Sequence, residues 1–352
     1  MAMCLSGGGF RAMLFHVGAL RRLNEFGLLS VVERFSSVSG GSITAAVLAV
    51  KWQDLRFDED GVAQAFDDVE SEVFNVAGHT FDVISTAAGM LPGTTGGEQL
   101  AKPYRRVLGD LTLQDLPRGP RFVFNTTNMA TGNLLRWSRE YAADHGLGRI
   151  DAPAVRLAEI VAASSAFPPF LSPMPLRPPS PIVDHNTGMP VPDQPQHLWL
   201  TDGGVYDNLG IQTTESFHTV LASDGGAPFR YQESVGRNLY SQHRRSVSIM
   251  YDQVCRLRNR QFIQELDTKR RLGALWRIST DMSRYPARDT LPCPRVFTAE
   301  LAAVPTRLAR MPVPVRRRLI NWGYALADAA IRSYVEPSLD PPKGFPHPGG
   351  VG

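Results

Sequence analysis

Cysteine is scarce. Cys4, Cys255 and Cys293 are the only three in 352 residues, and they lie far apart. No CxxC pair or Cys/His cluster forms, so no metal site is expected; reduced thiols in a cytoplasmic protein are. Long apolar runs are also missing. None approaches the roughly 18 to 20 residues that a membrane span requires. The first residues show no basic segment followed by an apolar one, so no cleaved leader is expected and any membrane contact would be peripheral. A strong charge of one sign is absent too: 37 Lys and Arg stand against 34 Asp and Glu, a net +3. That excess does not point to nucleic acid, although it is compatible with an anionic membrane surface.

What is present is an ordinary globular composition, 43% hydrophobic and 20% charged. Residues 1–5 read as a buried strand, followed by a Gly7-Gly8-Gly9 turn. Phe10 to Phe26 places apolar residues three and four apart, the period of an amphipathic helix. His16 falls on the side away from that stripe. Val31 to Val38 reads as a second strand, and Gly40 to Trp52 as a buried helix. Strand, helix, strand, helix at this spacing predicts a parallel, doubly wound α/β sheet. Residues 53–118 read as a mostly helical insertion, a cap or lid or else a plain surface excursion. Strands are expected at 121–127, 197–201 and 219–223, and helices at 155–163, 253–276 and 316–334. Residues 173–196 read as an exposed Pro-rich loop and residues 336–352 as a flexible tail. Together, residues 1–335 are expected to form a single domain.

Ser39 ends the second strand within Ser37-Val38-Ser39-Gly40-Gly41. A serine on such a strand-to-helix turn has its hydroxyl exposed beside free N–H groups of the helix start. The same residues also suit a helix cap without chemistry. The triple glycine can point N–H groups at a phosphate or at a developing oxyanion. A dinucleotide loop would have glycine where Ala12 stands, or its alanine version, but no acid follows the second strand to hold a ribose. Asp202-Gly203-Gly204 ends a strand with its acid unobstructed; Asp224-Gly225-Gly226 is a rival of the same type. Eight histidines are present, and Ser39, Asp202 and His218 or His243 formally suit a hydrolase triad. That fold places its elbow after several strands, however, whereas only one strand and one helix precede Ser39.

Four segments, in this order, resemble the patatin-like phospholipase family, specifically its bacterial cytosolic-type members. They are Ser6-Gly7-Gly8-Gly9-Phe10-Arg11, Ser37-Val38-Ser39-Gly40-Gly41-Ser42, Ala163-Ser164-Ser165-Ala166-Phe167-Pro168 and Asp202-Gly203-Gly204-Val205-Tyr206-Asp207-Asn208. Leu319 to Tyr324 is similar to a late segment of such proteins. The resemblance implies a three-layer α/β fold, with a mostly parallel central sheet flanked by helices plus a helical and loop insertion. It implies a Ser39–Asp202 dyad acting on fatty-acyl esters, with Gly7, Gly8 and Gly9 as oxyanion donors and Arg11 bracing their loop. Gly41, Gly203 and Gly204 support the elbow and the acid. No cofactor is implied. Phospholipid or another acyl lipid is the implied partner, with peripheral membrane contact. The departures are Ser37 in the elbow and Ala12 after the loop. They leave a silent lipid- or partner-binding scaffold as the alternative, beside an acyltransferase or thioesterase using the same dyad. Phe167, Phe170 and Leu171 could bind an acyl chain or simply pack the core.

Overall fold

A computed structural model describes residues 1–352. In chain order its elements are β1 (Ala2–Leu5), α1 (Gly9–Glu25), β2 (Arg34–Val38), α2 (Gly40–Lys51), α3 (Phe66–Val76), α4 (Asp82–Gly89), α5 (Gly96–Leu108) and β3 (Arg121–Asn128). There follow β4 (Leu134–Trp137), β5 (Tyr141–Asp144), β6 (Gly148–Asp151), α6 (Leu157–Ser165), β7 (Met174–Leu176), β8 (Leu198–Asp202) and α7 (Gly204–Asp207). The chain ends with β9 (Thr219–Asp224), α8 (Leu239–Asp267), β10 (Leu272–Arg277), α9 (Arg295–Ala303) and α10 (Val313–Tyr334).

One mixed sheet of ten strands runs β10-β9-β1-β2-β3-β4-β5-β6, with β8 on β3 and β7 on β8. Strands β10, β9, β1, β2 and β3 are parallel, and antiparallel strands extend the sheet beyond β3. β1 is buried along its whole length, as the centre of a sheet covered on both faces requires. Helix α1 packs closely on α10, and two glycines permit it. A Cβ on Gly18 would lie 2.0 Å from the Ile320 carbonyl oxygen, and one on Gly323 1.8 Å from that of Phe15. Between α2 and β3 the insertion is knit into the core: Phe10, Phe81 and Tyr104 form a chain of edge-to-face rings at 5.5 and 5.4 Å.

β3 fixes the geometry that matters. Along one edge it pairs first with β2, whose Val38 sits opposite Asn125. The next residue of β3, Thr126, sits opposite Asp202 at the end of antiparallel β8. The C-terminal ends of β2 and β8 therefore meet head to head on a shared neighbour.

Several expectations are corrected. The helix expected over 253–276 is α8, which begins at Leu239 and ends at Asp267; Leu272–Arg277 is the edge strand β10 paired with β9. A turn through Lys269 at φ 56° separates them. The 173–196 loop contains β7, whose Met174 and Leu176 are buried beside β8. The expected flexible tail is docked. Asn321 Nδ2 donates to the carbonyls of His347 and Gly350 at 2.9 and 2.7 Å, and Val351 is buried. His347 Nε2 lies 2.8 Å from Glu70 of α3. The second strand starts at Arg34 rather than Val31. No helix is long and apolar enough to cross a membrane.

Candidate active site

Ser39 stands between β2 and α2 at φ 51°, ψ −118°. A non-glycine residue at positive φ is strained, and here the surroundings hold it. Its N–H donates to Ser164 Oγ at 3.0 Å, and the Ser164 hydroxyl donates to the Asn125 carbonyl at 2.7 Å. The departure at Ser37 joins this support. Its hydroxyl donates to the Val123 carbonyl at 3.1 Å, and Ser42 Oγ lies between the two serines, 3.1 Å from Ser37 Oγ and 2.8 Å from Ser164 Oγ. The elbow thus tolerates Ser37 because the extra hydroxyl has partners. Gly41 must lack a side chain, since a Cβ there would lie 2.2 Å from the Leu5 carbonyl oxygen.

Asp202 is buried, and its carboxylate is a neighbour of the Ser39 hydroxyl across the β3 junction. Burial pushes its pKa up to about 7; the neighbouring Ser39 hydroxyl and the Gly204 N–H, which donates to Oδ1 at 2.7 Å, pull the other way. An aspartate so placed is a far better proton acceptor near neutrality than an exposed one. Gly203 and Gly204 let the turn close: a Cβ on Gly203 would lie 2.3 Å from the Asn125 carbonyl oxygen. The backbone of Asp202 is fixed by its N–H on the Ala166 carbonyl at 3.1 Å and by the Thr127 hydroxyl on its own carbonyl at 2.9 Å.

The glycine loop opens α1 beside these groups. Gly8 and Gly9 take φ 150° and 63°, conformations suited to glycine. No backbone carbonyl engages their N–H groups, which lie at the positive end of a 17-residue helix. Gly7 differs from expectation. Its N–H already donates to the Asn208 carbonyl at 3.0 Å, leaving two free glycine donors in the loop rather than three. Its bareness serves close packing instead, since a Cβ would lie 3.2 Å from that of Ser39. Arg11 is wholly buried; its Nε donates to the Gly225 carbonyl at 3.0 Å and its Nη1 to that of Val304. Burial lowers its pKa to about 10, which leaves it cationic at neutral pH.

The rival groups fall elsewhere. The Asp224 carboxylate is engaged by Gly226 N–H, Asn259 and Arg277. His16 is buried inside the helix packing rather than facing outward. Its Nε2 is 2.9 Å from the Ser6 carbonyl oxygen and its Nδ1 2.8 Å from Ser223 Oγ, and burial lowers its pKa to about 4, so it is a neutral brace under the loop. Phe167 and Phe170 are exposed at the rim and Leu171 is buried. Nothing in sequence order marks a role for Ser164 or Asn208. Both stand inside the segments that carry the resemblance, but their partners are distant in the chain.

A family model described as patatin-like phospholipase matches residues 3–214. Solved structures of human GIVD cytosolic phospholipase A2 are similar in fold. One is 13% identical over 92% of this chain and 57% of that one, with a TM-score of 0.54. Another, in complex with methyl gamma-linolenyl fluorophosphonate, is 16% identical over 93% and 56%, again at 0.54. This chain spans somewhat more than half the length of those structures. A comparison with curated proteins finds no match.

Proposed function

This chain belongs to the patatin-like phospholipase family, and from that premise we propose that it hydrolyses fatty-acyl esters of lipids with Ser39 as nucleophile and Asp202 as its base. The observation that carries this reading is the junction on β3, where the strained Ser39 and the buried Asp202 come together from opposite directions.

Asp202 accepts the proton of Ser39 as Oγ attacks the ester carbonyl. The carbonyl oxygen becomes an oxyanion facing the free N–H groups of Gly8 and Gly9, each such donor typically worth about 3 kcal/mol. Collapse of this intermediate breaks the ester bond, and the departing alcohol oxygen takes the proton held by Asp202. Water then gives its proton to Asp202 and attacks the acyl-serine. When that second intermediate collapses, Ser39 regains a proton and the fatty acid leaves. Phe167, Phe170 and the exposed Met90 and Leu91 after α4 offer the apolar wall an acyl chain needs. In this reading the lid is confined to α4 and the turn that follows it, because α3 and α5 each bury one face in the core.

The test is fatty-acid release from a panel of phospholipids and lysophospholipids. Wild type releases fatty acid from at least one class, and Ser39→Ala and Asp202→Asn from none. Equal release by Ser39→Ala would overturn the reading.

A further inference from the structure

Helix α8 leaves most of its surface uncovered. Over 29 residues only Asn259 and Phe262 are buried. Its inner side reaches the site: Tyr251 meets the Phe167 ring edge-on at 6.0 Å, and Arg258 lies over Tyr206 of α7, immediately after Asp202. On another side, Tyr240, Val247, Met250, Val254 and Leu257 follow one another at intervals of seven, three, four and three. That spacing puts them on one face of the helix, and all are exposed, Met250 by 60% and Leu257 by 54%. A continuous apolar stripe of this kind on a surface helix signals a missing partner.

Charge identifies the partner. Residues 237–260 hold six arginines against the single acid Asp252, whereas the whole chain is only +3, so the remainder is net acidic. Asp252 is paired with Arg256 at 2.6 Å. Arg237, Arg244 and Arg260 are exposed and have no acidic partner. A second copy of α8 would bring like charges together. An anionic bilayer satisfies both features at once, taking the apolar stripe into the acyl boundary and the guanidinium groups among its headgroups.

We infer that the exposed face of α8 docks this protein on anionic lipid surfaces and thereby presents the Ser39 mouth to the bilayer. The inference rests on the lipid-hydrolase reading for its purpose, but its test does not need catalysis. The Ser39→Ala protein, which leaves vesicles intact, is sedimented with vesicles of phosphatidylcholine alone and of phosphatidylcholine with phosphatidylglycerol. Binding is expected to the mixed vesicles, weakened by added salt. Replacing Arg237, Arg244 and Arg260 together by Gln should lower that affinity by about tenfold or more, since each cation near an anionic surface adds to the attraction. Val247→Asp with Met250→Asp should do the same. With Ser39 intact, both variants should hydrolyse a soluble short-chain ester at the wild-type rate, which also shows that they fold. Equal binding to both vesicle types, no binding to either, or unchanged affinity in the arginine variant would overturn the inference. Failure of every ester assay with charge-dependent binding retained would instead count against the hydrolase reading alone.

Discussion

At the scale of single residues, Asp202 is the group whose environment says most. Its raised pKa ties activity to pH. The base must be ionised, so hydrolysis should rise with pH through about 7 on the acid side of the profile. A limb near the ordinary carboxylate value of ~3.9 would contradict the burial argument. The same shift has a cost in stability. As pH climbs from the unfolded value towards 7, the unfolded chain releases this proton while the folded chain keeps it, so stability falls across that window and is level above it. The cost tops out at ~4 kcal/mol. Asp202→Asn should therefore raise the melting temperature relative to wild type at pH 8, and by less at pH 5. An equal change at both pH values would speak against it. Ser164 tests the elbow. Ser164→Ala leaves the Ser39 N–H buried without an acceptor, an expected loss of ~1 to 3 kcal/mol in denaturant titration. Its kcat should fall more than its KM changes, because the nucleophile is misaimed. None of this was visible in sequence order, since the bond joins residues 125 apart in the chain. The turns that carry Ser39 and Asp202 were legible because each is a short motif dictated locally, and the structure brings the two turns together on β3. Gly7 was misassigned for the opposite reason: its N–H is taken by Asn208, a contact that no local pattern reports.

At the scale of elements, the strands and helices that build the site could be read from spacing alone. β1, α1, β2 and α2 alternate cleanly, and their apolar residues follow the expected periods. The failures cluster where tertiary contacts decide. Leu272 to Trp276 continues an apolar pattern begun in α8, yet the pattern becomes a strand because β9 offers an open edge. The four-residue strands β4, β5 and β6 are too short to show a clear alternation. The tail looks disordered by composition, but Asn321 and Glu70 hold it through named partners. The packing of α1 on α10 makes a direct prediction. Gly323→Ala puts a methyl group 1.8 Å from the Phe15 carbonyl oxygen, so the helices must separate, and destabilisation of about 1 to 3 kcal/mol is expected by chemical denaturation. An unchanged denaturation midpoint would mean that the two helices are not so closely apposed.

Across the whole molecule, the sheet brings Ser39 and Asp202 together on β3. The near-neutral total hides a division, with residues 237–260 strongly basic against a net acidic remainder. Composition therefore said little about partners, because a sum discards position. If α8 meets anionic lipid, turnover on anionic vesicles should fall as salt rises, while turnover of a soluble ester should hold steady. Parallel salt dependence for both substrates would place the charge effect in the active site instead.

In the proposed reaction Ser39, activated by Asp202, attacks the acyl carbonyl. Its most direct test is labelling with a fluorophosphonate probe, followed by peptide mapping by mass spectrometry. One adduct per chain is expected, on the peptide containing Ser39, absent in Ser39→Ala and formed much more slowly in Asp202→Asn. An adduct on another serine, or labelling of Asp202→Asn at the wild-type rate, would contradict it.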